Sequence, residues 1–257
     1  MKISLKYNRT IVTAVTAEYT NYLATFLHSI LANLKSEYSI VIIYKDLNST
    51  TIREFLENNN SNIDIHFISI SDIPERIILE EFVDSPTYWR VIAPYIVKSD
   101  RLVYLDLDTL VLEDFPELFT WDLARATAAA CIDYLPEVKD GVSNWESLGL
   151  QPNHPYFNAG MILIDTQKWL KKDISNKVIQ IVQQNGANLL AKGKWPQNDQ
   201  YGLNIALIND WVALPNTYNY GSGLEYKPCK ILHFIGAGKP GMRRCRSEFT
   251  EIFIRYS

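Results

Sequence analysis

Apolar residues in the first half of the chain follow two alternating spacings. Short continuous apolar runs, which are typical of buried strands, lie at 11–15, 39–46 and 63–70. Between the first two runs, residues 21–34 place leucine, isoleucine and phenylalanine at helical spacing. Strands that alternate with helices favour an α/β domain with a mixed, mainly parallel central sheet flanked by helices.

Two further helices are predicted in this half, at 49–59 and at 87–98. Ser49 or Thr50 is the expected N-cap of the first, because a side-chain oxygen there can accept hydrogen bonds from the free amides of the first turn. The second is amphipathic despite Pro94 and leads into an apolar strand at 102–105.

The second half is less regular. Strands are predicted at 125–135, 157–165, 211–214 and 230–236. Helices are predicted at 175–185 and at 197–208, where Asn198 or Asp199 is the expected N-cap. The sequence has no repeats, low-complexity tracts or clear linkers. We therefore predict one domain over 1–241, followed by a basic and aromatic tail, 242–257, that packs on it.

Two carboxylates interrupt the apolar pattern after the strand at 102–105. Asp106 and Asp108 stand directly before a second apolar run, 110–112. Buried carboxylates are costly without a partner, so the pair calls for a specific explanation. Ligands of open α/β sheets bind at the carboxyl ends of the strands, and oxygen ligands there suit a divalent cation that shares substrate phosphates.

An Asp-x-Asp pair after an apolar strand has several interpretations. In the simplest, one aspartate caps a turn and the other faces solvent. Phosphatases of the haloacid dehalogenase type carry such a pair, although theirs usually follows the first core strand and here no glycine-threonine step follows. Glycosyltransferases of the GT-A fold use the pair to chelate Mn²⁺ or Mg²⁺ on a nucleotide-sugar diphosphate.

Composition narrows the class of partner. The chain has 25 Lys and Arg against 29 Asp and Glu, a net charge of −4, which disfavours a nucleic-acid surface. A phosphate-bearing ligand must therefore be met by a few placed cations or a metal. Three cysteines form no metal or disulfide pattern, the first residues lack a secretion signal, and no apolar run is long enough to span a bilayer. We expect a cytoplasmic location.

Several ordered sequence blocks resemble one known family over residues 11–241. The blocks are TYWRVIAPYIVKSDRLVYLDLDTLVLEDFPELF from residue 87, YFNAGMILIDTQKW from 156, PQNDQYGLN from 196 and ILHFIGAGKPG from 231. They resemble glycosyltransferase family 8, which includes glycogenin and lipopolysaccharide galactosyltransferases. The resemblance implies a single GT-A (Rossmann-like) domain. It also implies a retaining enzyme that moves a hexose, glucose or galactose, from a UDP-sugar to a glycan, glycolipid or protein-linked acceptor.

The same resemblance implies roles for individual residues. The implied metal ligands, for Mn²⁺ or Mg²⁺, are Asp106, Asp108 and His233. The implied donor contacts are Arg90, Asp106, Asn158, Gly236 and Lys239. The implied catalytic residues are Asp199, which holds sugar hydroxyls, Gln200, which lies beside the anomeric carbon, and Asp133, which lies near the acceptor. Independently of the resemblance, two oxygens and one nitrogen form a ligand set suited to Mn²⁺ and tolerable for Mg²⁺.

The chain departs from the family pattern at two places. Thr16 and Ala17 stand where acidic residues that recognise uracil are expected. Thr16 can still hydrogen-bond a base, and Tyr19 can stack on it. Gly241 follows the proline of the last block, where an aromatic residue is common. These departures keep open an alternative in which the chain binds a nucleotide sugar without turnover.

The tail combines Arg243, Arg244 and Arg246 with an apolar and aromatic pattern over 249–256. Such a segment is commonly a terminal helix packed on the domain with a solvated basic turn. It is also compatible with peripheral contact at the inner face of an anionic membrane.

Overall fold

The structure, a computed structural model, describes residues 3–57, 61–74, 85–191 and 199–257. The strands are β1 (Thr10–Thr16), β2 (Tyr38–Lys45), β3 (Ile63–Ser69), β4 (Arg101–Leu105), β5 (Thr109–Val111), β6 (Ala128–Glu137), β7 (Pro155–Asp165), β8 (Trp211–Leu214), β9 (Tyr220–Gly221) and β10 (Ile231–His233). The helices are α1 (Thr20–Asn33), α2 (Ser49–Glu57), α3 (Trp89–Ile96), α4 (Val138–Gly141), α5 (Thr166–Lys171), α6 (Ile174–Ala191), α7 (Asp199–Ala206) and α8 (Ser247–Tyr256).

Within the described residues, the central sheet has seven strands in the order β3-β2-β1-β4-β7-β6-β8. Strands β3, β2, β1 and β4 are parallel to one another, and β7 runs antiparallel to both β4 and β6. Strand β8 is parallel to β6. The mixed, mainly parallel sheet confirms the α/β class, and it places the carboxyl ends of β1, β4 and β6 and the start of β7 along one edge.

Both faces of the sheet are covered. In β1, Ile11 and Val15 pack into the core beneath α1, whereas Val12 and Ala14 pack into the core beneath α3 and α6. Successive strand residues point to opposite faces, so a strand buried on both sides needs apolar residues at every position. This explains the continuous apolar runs of the sequence.

The sequence predicted N-caps for two helices, at Ser49 or Thr50 and at Asn198 or Asp199. The N-cap predicted at Ser49 or Thr50 is wrong, because the Oδ1 atom of Asn48 accepts the amide of Thr51 at 2.7 Å. Asp199 begins α7, and Asn198 lies outside the described residues.

The apolar run at 110–112 forms a strand outside the central sheet. The chain turns at 106–108, and β5 pairs antiparallel with β10, which pairs in parallel with β9. The register sets Thr109 opposite His233, and the amide of Phe234 donates to the carbonyl of Asp108 at 2.9 Å. This small sheet therefore brings β10 beside the carboxylate turn.

The tail forms α8, which packs on α1. Phe249 is fully buried, and the Phe253 ring meets the Tyr22 ring edge-on at 5.8 Å. Asn33 Nδ2 donates to the Tyr256 hydroxyl at 2.7 Å. Arg243, Arg244 and Arg246 are exposed. The division at residue 241 stays a prediction.

None of the described helices is both long and apolar enough to cross a bilayer.

Two substitutions on α8 test its packing. Phe249→Ala should lower the free energy of unfolding by about 3–5 kcal/mol, because it empties a filled core position. Ile254→Ala on the same helix should change it by less than about 0.5 kcal/mol, because Ile254 is 62% exposed. Urea denaturation measures both values. Equal effects of the two substitutions would contradict the packing of α8.

Candidate active site

The two carboxylates lie on a tight turn where β4 ends. The amide of Asp106 donates to the Gly160 carbonyl at 2.8 Å, and the Thr109 hydroxyl donates to the Asp106 carbonyl at 2.7 Å. The side chains of Asp106 and Asp108 are 24% and 20% exposed. The apolar flanks are thus buried strands, and the carboxylates lie between them at the carboxyl edge of the sheet.

His233, at the end of β10, completes a compact set of ligand atoms. Its Nε2 atom lies 3.2 Å from Asp108 Oδ1 and 3.9 Å from Asp106 Oδ2. One ligand atom from each of the three residues lies within 4.8 Å of the others. The His233 ring is buried, and its Nδ1 atom hydrogen-bonds Asn219 Oδ1 at 2.8 Å, which leaves Nε2 facing the carboxylates. The donor set and its orientation fit a divalent cation such as Mn²⁺.

The two carboxylates have different electrostatic surroundings. Partial burial raises the pKa of Asp106, and the nearby charge of Asp108 adds to this, against the opposing effect of Arg90. Burial acts in the same sense on Asp108, but His233 and Lys239 outweigh it and hold the pKa of Asp108 below its usual range. Lys239 Nζ lies 2.5 Å from Asp108 Oδ2. Asp108 is therefore held as an anion, the form that binds a cation.

Arg90, on α3, is buried between two carboxylates. Its Nη2 atom lies 2.8 Å from Asp106 Oδ1, and its Nε atom lies 2.9 Å from Asp199 Oδ2. The guanidinium also donates to the carbonyls of Thr87 and Ala159. The desolvation of buried Arg90 lowers its pKa, but the two carboxylates outweigh this and raise the pKa above its ordinary value. Arg90 is a fixed cation that orients both acids.

Asp199 is almost fully buried at the start of α7. Burial raises the pKa of Asp199 to about 6, although Arg90 opposes the shift. The nearby Nε–H of Arg90 is directed at the Thr87 carbonyl, so Asp199 Oδ2 has no directed hydrogen-bond donor among the described residues. The carboxylate lies against the Arg90 guanidinium, with Oδ2 shielded from solvent.

A cleft of about 230 Å³ opens beside the carboxylate turn. Thr16, at the carboxyl end of β1, lines it together with Tyr19 and Tyr22. Arg90, Asp106, Asp108 and Lys239 line the cleft at its polar end. Tyr22 is a lining residue that the sequence did not indicate, and Lys239 Nζ lies 5.6 Å from the centre of its ring. The cleft thus joins an aromatic wall to the charged turn.

A second cavity, of about 390 Å³, is lined by Asp133, Asn158, Asn219 and Gly236. Asn158 Nδ2 donates to Asp133 Oδ2 at 2.8 Å, and Gln200 Nε2 donates to the same oxygen at 3.2 Å. Gly236, expected among the donor contacts, lines this cavity and not the first cleft. Asn219 was missed, because it lies in a turn-rich segment with no motif.

A larger cavity, of about 900 Å³, lies at the opposite end of the sheet. It is lined by residues before β1 and at the start of β4, including Arg9 and Arg101, and holds none of the predicted site residues. The predicted residues therefore converge on one edge of the sheet, around the carboxylate turn and its two flanking cavities.

Comparison with known proteins agrees with this geometry. The model of the family described as "Glycosyl transferase family 8" matches residues 10–243. General stress protein A of Bacillus subtilis (strain 168) is 24% identical, covering 96% of this chain and 92% of that protein. Glycosyltransferase GlyF of Streptococcus pneumoniae is 29% identical over 68% of this chain, but the match covers only 42% of the relative.

The fold is also similar to that of a solved structure. The galactosyltransferase LgtC, in complex with donor and acceptor sugar analogues, matches with a TM-score of 0.76 and 22% sequence identity. The match covers 96% of this chain and 94% of that chain. At this identity the likeness shows a shared fold.

Gly160 provides the space that His233 occupies. A Cβ atom at Gly160 would lie 2.1 Å from His233 Cε1 and 2.6 Å from its Nδ1. Gly160→Ala should therefore displace the ring and weaken Mn²⁺ binding by at least about tenfold, measured by electron paramagnetic resonance titration.

Gly221→Ala is the matched control, because a Cβ atom there would meet Ile235 Cδ1 at an ordinary 3.6 Å. It should bind Mn²⁺ like the unaltered chain. Undiminished Mn²⁺ affinity in folded Gly160→Ala protein would exclude His233 from the metal site.

Proposed function

Because the chain belongs to glycosyl transferase family 8, we propose that it moves a hexose, glucose or galactose, from a UDP-sugar to a hydroxyl group of a glycan, glycolipid or protein-linked acceptor, with retention at the anomeric carbon. One observation carries the proposal. The ligand atoms of Asp106, Asp108 and His233 converge between a cleft with an aromatic wall and a second cavity that Asp133 and Asn158 help to line. A donor nucleotide and an acceptor each need such a space beside one cation site.

The first cleft is suited to the donor nucleotide. In the proposal Thr16 hydrogen-bonds the uracil base, and Tyr19, 47% exposed, stacks on it. Lys239 provides a cation for the diphosphate. Arg90 also lines this cleft and would contact the donor. Its ion pairs with Asp106 and Asp199 would in addition position these two acids.

The metal site would be formed by Asp106, Asp108 and His233. A bound divalent cation would neutralise the charge that develops on the departing diphosphate. The imidazole nitrogen favours Mn²⁺ over Mg²⁺, which prefers a shell of oxygens. The protein's part is to hold two carboxylates anionic and one nitrogen lone pair aimed at them.

The second cavity is suited to the hexose and the acceptor. Asp199, which lies beside Arg90 and lines neither cavity, would hold sugar hydroxyls as the family resemblance implies. Asn158 would line the sugar site, and Asp133 would orient the acceptor hydroxyl. Gln200 Oε1 already accepts the Ala159 amide at 2.9 Å, and a carboxamide is a poor nucleophile. Gln200 would therefore orient groups beside the anomeric carbon.

The bond changes of the proposed transfer balance without a covalent enzyme intermediate. The acceptor oxygen bonds to the anomeric carbon from the face that the diphosphate leaves. The bond from that carbon to the β-phosphate oxygen breaks, and its electrons stay on UDP. The acceptor proton passes to the departing phosphate. Asp133 and Gln200 would hold the acceptor hydroxyl on the same face as the departing diphosphate.

We also propose a cytoplasmic location, supported by three free cysteines among the described residues. The exposed Arg243, Arg244 and Arg246 would allow peripheral contact with an anionic inner membrane face.

Loss of one ligand tests the metal site. Asp108→Asn should lower Mn²⁺-dependent release of UDP from UDP-glucose or UDP-galactose by more than about 100-fold, because a neutral amide replaces an anionic ligand. UDP release is measured with and without EDTA. The control is Asp100→Asn, directly before β4, which should retain activity because Asp100 is exposed and lies at the opposite end of β4 from the turn.

Two results would overturn the function. Full Mn²⁺-dependent turnover in Asp108→Asn would show that Asp108 is not a required metal ligand. Donor binding, detected as a raised melting temperature, with no UDP release in the presence of acceptors would favour a binding protein over an enzyme. Magnesium-dependent hydrolysis of p-nitrophenyl phosphate would instead support the phosphatase alternative.

Lys239 gives an independent test, because its ammonium competes for Asp108. Lys239→Met should strengthen Mn²⁺ binding in the absence of nucleotide, by up to about tenfold, and weaken UDP binding in its presence. Calorimetric titration measures both. Lys227→Met, at an exposed lysine, should change neither. Weaker Mn²⁺ binding and unchanged UDP binding in Lys239→Met would contradict the assigned role.

A further inference from the structure

A row of buried polar side chains links the predicted metal ligand to the second cavity. His233 Nδ1 lies 2.8 Å from Asn219 Oδ1, and Asn219 Nδ2 lies 2.8 Å from Asn158 Oδ1. Asn158 Nδ2 lies 2.8 Å from Asp133 Oδ2. These four residues are between 4% and 7% exposed. Because they are buried, each polar atom needs a partner of the opposite kind.

The direction of hydrogen bonding in this row is fixed by two groups beside Asn158, one that can only donate a hydrogen bond and one that can only accept. The backbone amide of Gly160 can only donate, and it meets Asn158 Oδ1 at 2.9 Å. An ionised Asp133 carboxylate can only accept, and it meets Asn158 Nδ2. Both contacts require the same orientation of the Asn158 amide, so its oxygen faces Asn219.

The orientation of Asn219 follows from that of Asn158. Its Nδ2 group must face the Asn158 oxygen, because two facing oxygens would leave both without a donor in a buried place. Asn219 Oδ1 then faces His233 and can only accept. The hydrogen of that contact must therefore come from His233 Nδ1.

We propose that Asn219 is a positioning residue that fixes the tautomer of His233, with the hydrogen on Nδ1 and the lone pair of Nε2 directed at Asp106 and Asp108. The proposal deepens the proposed function, since it rests on His233 as a metal ligand. The tautomer itself, however, is a property of the metal-free protein and can be measured without any metal or substrate.

The neighbouring carboxylates explain why the tautomer of His233 has to be fixed by another residue. Asp108 Oδ1 lies 3.2 Å from His233 Nε2, close enough to accept a hydrogen from it. Without Asn219 the ring would gain most by placing its hydrogen on Nε2 and donating to Asp108. That hydrogen would occupy the lone pair that a metal needs, so it would have to leave before binding. Asn219 holds the hydrogen on the opposite nitrogen.

Nuclear magnetic resonance of the metal-free protein tests the tautomer. Long-range ¹H–¹⁵N correlation spectra, recorded at a pH at which the imidazole rings are neutral, distinguish the two tautomers of each of the four histidines. His233→Gln assigns the signals. We expect hydrogen on Nδ1 of His233 in the unaltered chain. In Asn219→Leu, which has similar volume but no acceptor, we expect it on Nε2.

Two variants separate this role from a general effect on structure. Asn219→Asp keeps an acceptor opposite His233 Nδ1 and should keep the original tautomer, although its second oxygen then faces Asn158 Oδ1 without a donor and should lower the melting temperature. Asn216→Leu, at an exposed residue that also lines the second cavity, should leave His233 unchanged. Mn²⁺ affinity should fall about 10- to 100-fold in Asn219→Leu and stay near the original value in the other two.

The outcomes distinguish this proposal from the proposed function. Hydrogen on Nε2 of His233 in the unaltered chain, or an unchanged tautomer in Asn219→Leu, would overturn the role of Asn219. The predicted tautomers without any Mn²⁺ binding by the unaltered chain would support that role and overturn the metal site instead.

Discussion

The central constraint of this structure is the pair of carboxylates on the turn at the end of β4. Asp106 and Asp108 lie within one turn and are mostly shielded from water, so their charges repel and their desolvation is costly. Three groups offset this cost. Arg90 contacts the first carboxylate, Lys239 contacts the second, and the His233 ring faces both. The two carboxylates and the imidazole nitrogen converge as a donor set that fits a divalent cation.

The fold delivers these groups from separate parts of the chain. Arg90 comes from α3, which packs beneath the sheet. His233 ends β10 in the small sheet formed by β5, β9 and β10, and Lys239 lies in the segment that follows β10. Strand β7, antiparallel to its neighbours, returns Asn158 and Gly160 to the edge where β4 and β6 end. One edge therefore carries both cavities, next to the carboxylate turn.

Much of the fold and of the candidate site could be predicted, because the sequence patterns that indicate them are local. Apolar runs located the strands, and the end of β4 located the carboxylates. The ordered blocks around Asp106, Asn158, Asp199 and His233 resembled one family, to which the chain belongs. The prediction for the N-cap of α2 was wrong because three consecutive residues from Asn48 can all act as caps. Only the backbone geometry selects one of them.

Periodicity and spacing along the chain are sufficient to predict the alternation of strands and helices, the carboxylate pair and the residue types of the candidate metal site. Three further features depend on the tertiary structure. It placed β5 outside the central sheet, it engaged Arg90 with two acids, and it set Asn219 against His233. Each depends on hydrogen bonds or ion pairs between distant segments. Such contacts have no period in the sequence, since they form only when the packed sheet brings their partners within reach.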